Sequence, residues 1–239
     1  MKTSICTSFL IFGLLGIASC EKIKGKGEVI SQIRTVTGYA GINLAIDGEV
    51  FFTTDSVYYL EIQAQQNILD VLQTVVEGSG NTLVIQYKHG VHIGSHEPIK
   101  IFIAAPNINQ MAINGSGDIF VTNPMLSNFL ETTISGSGNI SISQLEVNEF
   151  QATVSGSGNI ETTMGAVNYQ QLTISGSGNI DQVGVESDTT FANISGSGNI
   201  SVWVNKLLDA TISGSGSVMY KGNPVINSHI SGSGTIIKI

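Results

Sequence analysis

Three histidines, two carboxylates and a recurring glycine triplet are the residues whose types and spacing could do chemistry. His89, His92 and His96 are spaced H-x2-H-x3-H beside Glu97. Imidazoles at that spacing bind a transition metal if they converge. Gly90, Gly94 and Ser95 make the segment loop-like, so convergence is left open, and an exposed polar loop is the alternative. Glu161 and Asp181 each follow a Gly-Ser-Gly-Asn-Ile repeat. Stacked repeats place them one above the other, about 5 Å apart at the backbone, a separation that retaining glycosidases use. The equivalent places hold Phe120, Ser141, Ser201, Met219 and Ile237, and no Lys, Arg or His converges on the pair. A solvated acidic face is therefore the competing reading. The Gly-Ser-Gly is followed neither by Lys-Ser/Thr nor by a helical pattern, so it is no phosphate loop. A calcium-binding nonapeptide needs an Asp that only Asp118 supplies. His229 is the sole histidine of the repeats and Ser is abundant for turn reasons, so no Ser-His-Asp set assembles. No catalytic residue and no cofactor are expected.

Composition narrows the partners. The chain has 239 residues with a formal charge of −8, which argues against a nucleic-acid binder that neutralises phosphates. Only 12% of residues are charged and 41% are hydrophobic, so charge-driven disorder is excluded. Two cysteines make no disulfide framework.

The N-terminus reads as an address. Lys2 precedes an apolar run, residues 9–17, that is shorter than the about 20 residues of a spanning helix. Residues 1–19 are therefore read as an export signal. The run ends in Ile17-Ala18-Ser19-Cys20, which resembles the bacterial lipobox, in which the cysteine is lipidated and becomes the new first residue. Cleavage there removes Cys6 and Lys2, taking the balance from −8 to −9. A multiply acylated Cys20 holds a protein on a membrane without a spanning helix. Residues 20–29 are expected to be the lipidated cysteine and a polar, glycine-rich tether.

From residue 111 to 239 the chain is periodic. Seven copies of one core run from Ile113-Asn-Gly-Ser-Gly-Asp-Ile119 to Ile230-Ser-Gly-Ser-Gly-Thr-Ile236, and their first glycines are spaced by 21, 20, 20, 20, 18 and 18 residues. That period signals a solenoid. The flanks alternate: Phe150, Ala152 and Val154 share one parity, and Glu149, Gln151 and Thr153 the other. Period two means strand. A coil of this length has a perimeter of about 60–65 Å, enough for three short strands, and successive coils stack about 4.8 Å apart. The expected fold is an all-β parallel β-helix with about 18–21 residues per coil. The first Ile/Val of each copy (113, 134, 154, 174, 194, 212, 230) is expected to form one interior column. The last (119, 140, 160, 180, 200, 218, 236) forms a second, each buried side chain contributing roughly 1.5–3 kcal/mol. The glycines make a corner where backbones approach closely. Asn139, Asn159, Asn179 and Asn199 repeat beside it; Asn tolerates αL geometry, and stacked Asn can hydrogen-bond along the column.

Residues 30–110 lack the repeat but read as irregular β structure, expected to be early coils of one continuous solenoid, with a separate β-domain as the lesser alternative. Strands are expected at 41–46, 49–53, 58–63, 82–87 and 99–104. Ile68, Leu69, Leu72, Val75 and Val76 have helical spacing, and Glu77 to Asn81 is a hairpin turn or a degenerate corner. Tyr58-Tyr59-Leu60-Glu61-Ile62, Asn67-Ile68-Leu69, Gly80 to Ile85, Ile99 to Asn107 and Gly115-Ser116-Gly117-Asp118-Ile119 occur in order. With the Gly-Ser-Gly-Asn-Ile copies, they resemble the bacterial envelope family called putative auto-transporter adhesin, head GIN domain, over nearly all of the mature chain. The resemblance implies a single-stranded right-handed β-helix, often exported as a lipoprotein, with no catalytic residues.

The reading that follows is a non-enzymatic, lipid-anchored envelope protein of the outer membrane, periplasmic or surface-exposed, whose solenoid binds a glycan or an envelope protein. A polysaccharide-active enzyme and a structural spacer are the rivals. Asp55-Ser56-Val57 and Asp188-Thr189-Thr190 are similar to the O-glycosylation signal of Bacteroidetes envelope proteins, making Ser56 and Thr189 candidate acceptors. Tyr169, Phe191, Trp203 and Tyr220 stack on sugars if exposed and pack into the core otherwise. The chain ends in the apolar strand Thr235-Ile236-Ile237-Lys238-Ile239 with no cap behind it, an edge expected to be covered by a second subunit or by side chains.

Overall fold

The structure is a computed structural model that describes residues 22–239. The signal segment and the lipidation candidate Cys20 lie outside the described residues. The irregular half holds β1 (Val29–Ile33), β2 (Gly41–Leu44), β3 (Glu49–Thr54), β4 (Tyr59–Gln65), α1 (Gln66–Leu69), β5 (Leu72–Glu77), β6 (Thr82–Tyr87), β7 (Lys100–Ala105), β8 (Gln110–Ile113) and β9 (Asp118–Val121). The repeats supply β10 (Met125–Gly136), β11 (Asn139–Gly156), β12 (Asn159–Gly176), β13 (Asn179–Gly196) and β14 (Asn199–Gly214). They end with β15 (Ser217–Lys221), β16 (Val225–Gly232) and β17 (Thr235–Lys238). The whole is a β-solenoid of about 6 turns.

Both aliphatic columns form. Ile113, Ile134, Val154, Ile174, Ile194, Ile212 and Ile230 pair in unbroken parallel register. So do Ile119, Ile140, Ile160, Ile180, Ile200, Val218 and Ile236. All are buried up to the penultimate tier; in the last tier Ile230 is 42% exposed, with no further tier beneath it among the described residues. Within one tier Ile160, Thr162, Val167, Gln170, Leu172 and Ile174 are buried. The alternation breaks near residues 163–166 and 168–169, giving three short faces.

The corner is built by close approach. At Gly176, φ is +140°, and a Cβ would stand 2.4 Å from the carbonyl oxygen of Gly156 in the tier above. The same clash recurs down the column, so only glycine lets the tiers close to hydrogen-bonding distance. The neighbouring asparagines do not use αL geometry: among the described non-glycine residues only Asn81 has a positive φ. Their role is the hydrogen-bonded column described below.

In the first half the tiers do not follow chain order. β2 lies between β6 and β8, and β3 between β7 and β9, all parallel. The chain thus enters at the second tier, builds the outermost tier with β6 and β7, and returns. β1 then pairs antiparallel with β4, and β4 with β7, while β5 and β6 form an antiparallel hairpin. A simple winding would leave an open strand edge at this end; the antiparallel strands and α1 cover it. Residues 77–81 form the hairpin turn, and the helical spacing around Ile68 yields one turn ending at Leu69. A single sheet joins both halves.

The expected tether is in part docked. Ile23 N–H donates to His92 O (2.8 Å), Gly94 N–H to Ile23 O (2.8 Å) and Gly25 N–H to Ser95 O (2.9 Å). Gln65 Nε2 donates to Gly27 O (2.8 Å), and Ile23 packs on the core. Backbone groups that a solvated linker would give to water are here satisfied by the loop before β7.

Candidate binding face

In β3, β7 and β9 an inward aliphatic residue is followed by an outward phenylalanine: Val50-Phe51, Ile101-Phe102 and Ile119-Phe120. Because β3 sits between the other two, the three rings form one column. Phe51 stacks on Phe102 and on Phe120, with centroids 5.3 Å apart in both pairs and interplanar angles of 18° and 19°. Each offset pair contributes about 0.5–1.5 kcal/mol beyond its buried area. All three remain partly exposed.

The column continues in both directions. Glu61 pairs with Phe102 across β4 and β7. On the other side Phe120 is followed by Ser141, Glu161, Asp181 and Ser201. One outward stripe therefore carries a carboxylate, three stacked rings, a hydroxyl and two further carboxylates. A shallow depression of about 290 Å³ lies over Phe51, Phe102, Tyr59, Thr53 and Thr122. A second, of about 320 Å³, runs along Phe120, Ser141 and Glu161 beside Asp118, Asn139 and Asn159.

The Glu61 carboxylate accepts hydrogen bonds from Ser31 Oγ, the Tyr59 hydroxyl and Gln63 Nε2. These bonds, led by that from Ser31, pull its pKa down to about 2. Donation to Glu61 raises the Tyr59 phenol in turn. Glu61 is thus a permanently charged acceptor at neutral pH.

A parallel stripe two residues back is an amide ladder. Asn139 Nδ2 donates to Asp118 Oδ1 (2.8 Å), Asn159 to Asn139 (2.8 Å), Asn179 to Asn159 (2.9 Å) and Asn199 to Asn179 (3.1 Å). Every amide points the same way, and the chain of acceptors ends at a carboxylate.

Glu161 and Asp181 are in register on adjacent tiers and both are exposed. Asp181 Oδ1 accepts the N–H of Val183 at 3.1 Å. The histidines are not brought together. His96 Nε2 lies 3.0 Å from Asp47 Oδ2 and its Nδ1 2.7 Å from Glu97 O. Among the described residues no group of three or more His, Cys, Asp or Glu side chains could hold a metal ion. Ser56 lies in the exposed loop after β3, its Oγ donating to Asp55 Oδ1 (3.1 Å), whereas Thr189 is half-buried within β13. Tyr169 and Phe191 meet on neighbouring tiers at 5.4 Å, and Lys221 Nζ sits 3.5 Å over the Trp203 ring. Tyr220 is partly buried against the core. These four aromatics make separate contacts and form no shared platform.

A buried polar network also lies inside the tube. Gln170 Nε2 donates to Ser187 Oγ (3.0 Å) and Thr190 Oγ1 (2.8 Å), and Gln182 Nε2 to Thr162 Oγ1 (3.0 Å). The Oε1 atoms of Gln170 and Gln182 lack partners. Walls of sheet separate the network from any ligand outside.

The aromatic column was not singled out by sequence reasoning. Its signal is a phenylalanine directly after an aliphatic rung in three separate segments, and it gains meaning only once the tier order is known.

Comparison with known proteins agrees with this architecture. A putative adhesin from Bacteroides fragilis is 26% identical with a TM-score of 0.85, covering 91% of this chain and 100% of that one. A putative lipid binding protein from Parabacteroides distasonis is 27% identical with a TM-score of 0.77, covering 92% of this chain and 100% of the other. A putative adhesin from the latter species, 20% identical with a TM-score of 0.74 and covering 92% of this chain and 100% of that one, shares the fold. No curated protein matches the chain. No helix among the described residues is long and apolar enough to cross a membrane. The family described as putative auto-transporter adhesin, head GIN domain, matches residues 38–224, and the chain belongs to it.

Proposed function

We propose that the protein is a non-enzymatic envelope protein, anchored through lipid on Cys20, that binds a neutral glycan chain along its outward stripe. The observation that carries this is the Phe102-Phe51-Phe120 column, an exposed stack of rings flanked by carboxylates, hydroxyls and amides. Rings offer flat apolar faces to the C–H faces of sugars, and the polar rows accept and donate to their hydroxyls. The tier repeat of about 4.8 Å presents like groups at even intervals, which suits a repeating ligand. The charge of −8 and the stripe's own carboxylates disfavour an anionic polysaccharide. Glu161 and Asp181 serve here as acceptors, both exposed and in register on adjacent tiers.

The test is binding to neutral and anionic polysaccharides by calorimetry. Phe51→Ala is expected to weaken a neutral ligand about tenfold with the fold retained. Reducing ends released by the native protein, and not by a Glu161→Gln/Asp181→Asn double variant, would establish the enzyme instead.

A further inference from the structure

We propose that the docked N-terminal segment is a contact site for the phosphate headgroups of an anionic lipid surface. The backbone of this segment is fixed. Beyond the pairing of Ile23 and Gly25 with the loop before β7, Lys26 N–H donates to Asn67 Oδ1 (2.9 Å) and Asn67 Nδ2 to Lys24 O (2.7 Å). Extended backbone alternates its side chains. Ile23 packs inward, so Lys22, Lys24 and Lys26 turn outward, and all three are exposed. With Asn67 they line an open cavity of about 600 Å³ at the capped end of the solenoid.

The charge pattern identifies the ligand class. Three of the chain's 10 Lys and Arg residues fall within five positions, in a protein whose balance is −8. Among the described residues the ion pairs are His96–Asp47 and Lys206–Asp188, so none of the three lysines is paired. The acidic residues near in sequence are Glu21 and Glu28, which flank the three lysines. Parallel ammonium groups held by a fixed backbone repel one another unless anions lie between them. An open row of this kind fits several phosphates spread over a surface better than one enclosed ion. The occupant is therefore a membrane displaying phosphate headgroups.

The test uses the chain from residue 21 onward, whose backbone pairing among the described residues starts at Ile23, so that no lipid anchor contributes. Sedimentation with vesicles of phosphatidylglycerol in phosphatidylcholine is compared with phosphatidylcholine alone, at low and at high salt. Binding is expected only to the anionic vesicles and only at low salt. A Lys22→Gln/Lys24→Gln/Lys26→Gln variant is expected to bind at least about tenfold more weakly, and the triple arginine variant to bind as the native chain does. Equal binding to both vesicles, no binding to the anionic ones, an unaffected glutamine variant, or inorganic phosphate bound as tightly as vesicles would each overturn the proposal. Phe51→Ala shares no lining residue with this cavity and should leave vesicle binding intact, so the failure of the glycan reading is separately visible.

Discussion

Asn139 gives both its backbone N–H and its side-chain amide to one oxygen of Asp118, at 2.9 and 2.8 Å. That carboxylate is the terminus on which the aligned amide ladder rests. Removing it leaves two donors short of an acceptor at a partly buried place. Asp118→Ala is expected to lower stability by about 1–3 kcal/mol. Asp118→Asn should recover most of this, because its Oδ1 continues the ladder. Urea unfolding of the three proteins checks the order; equal loss for Ala and Asn would show that charge, not an acceptor, is required.

The corner makes a sharp contrast between adjacent residues. A Cβ at Gly176 meets the Gly156 carbonyl at 2.4 Å, whereas Ser177 is exposed. Gly176→Ala is expected to cost about 3 kcal/mol or more, or to prevent folding, since both backbone strain and a backbone clash oppose it. Ser177→Ala should stay within about 0.5 kcal/mol. Thermal melts of the two variants decide.

The middle and the last tier of the first aliphatic column differ. Ile174 is fully buried and Ile230 is 42% exposed in a single chain. Ile174→Ala should cost about 2–5 kcal/mol, and Ile230→Ala well under half of that if the last tier faces water. If a second copy covers that tier, light scattering will report a dimer, and Ile230→Ala will shift it to monomer while lowering stability in a concentration-dependent way.

Glu61 on the acid side and Tyr39 and Tyr87 on the alkaline side make stability depend on pH. The depressed pKa of Glu61, about 2 against an ordinary 4.5, contributes stability that is present above the ordinary value and lost as pH falls toward 2. Burial pushes the Tyr39 phenol up to about 12 from 10, with Tyr58 adding to the effect, and its contribution is present below pH 10 and lost as pH rises through 12. Tyr87 is shifted the same way by burial and by Asp47. The melting temperature should therefore be flat at neutral pH and fall on both sides. Glu61→Gln is expected to soften the acid limb alone and Tyr39→Phe the alkaline limb alone, as scanning calorimetry across pH would show.

The columns were legible because identical residues recur at nearly constant spacing and side chains alternate with period two, so register follows from counting. The expected strands at 41–46, 49–53, 82–87 and 99–104 were legible for the same local reasons. The tier order was not. Whether β2 lies beside β6 or begins the stack depends on which arrangement covers the open edge, and no local pattern encodes that. The candidate face inherits the difficulty: Phe51, Phe102 and Phe120 are far apart in sequence and become neighbours only through that order. Of the two properties expected of the asparagine column, the hydrogen-bonded row forms and the αL geometry does not, because the glycines absorb the positive φ of the corner. Gly25 reads as part of a flexible tether, yet its N–H is bonded to Ser95 O and a Cβ there would stand 2.9 Å from His96 Cβ, so this glycine serves contact.

Because each repeat tier pairs along its strands with the tiers above and below and turns at the same glycine corner, the molecule can change its reach only in whole steps. Duplicating residues 159–178 inserts one more rung and lengthens the shaft by about 4.8 Å without altering either end. A shorter insertion in a strand turns rung residues outward and splits the stack. Length in this architecture is thus quantised, and whatever the two extremities touch is held apart by a countable number of steps.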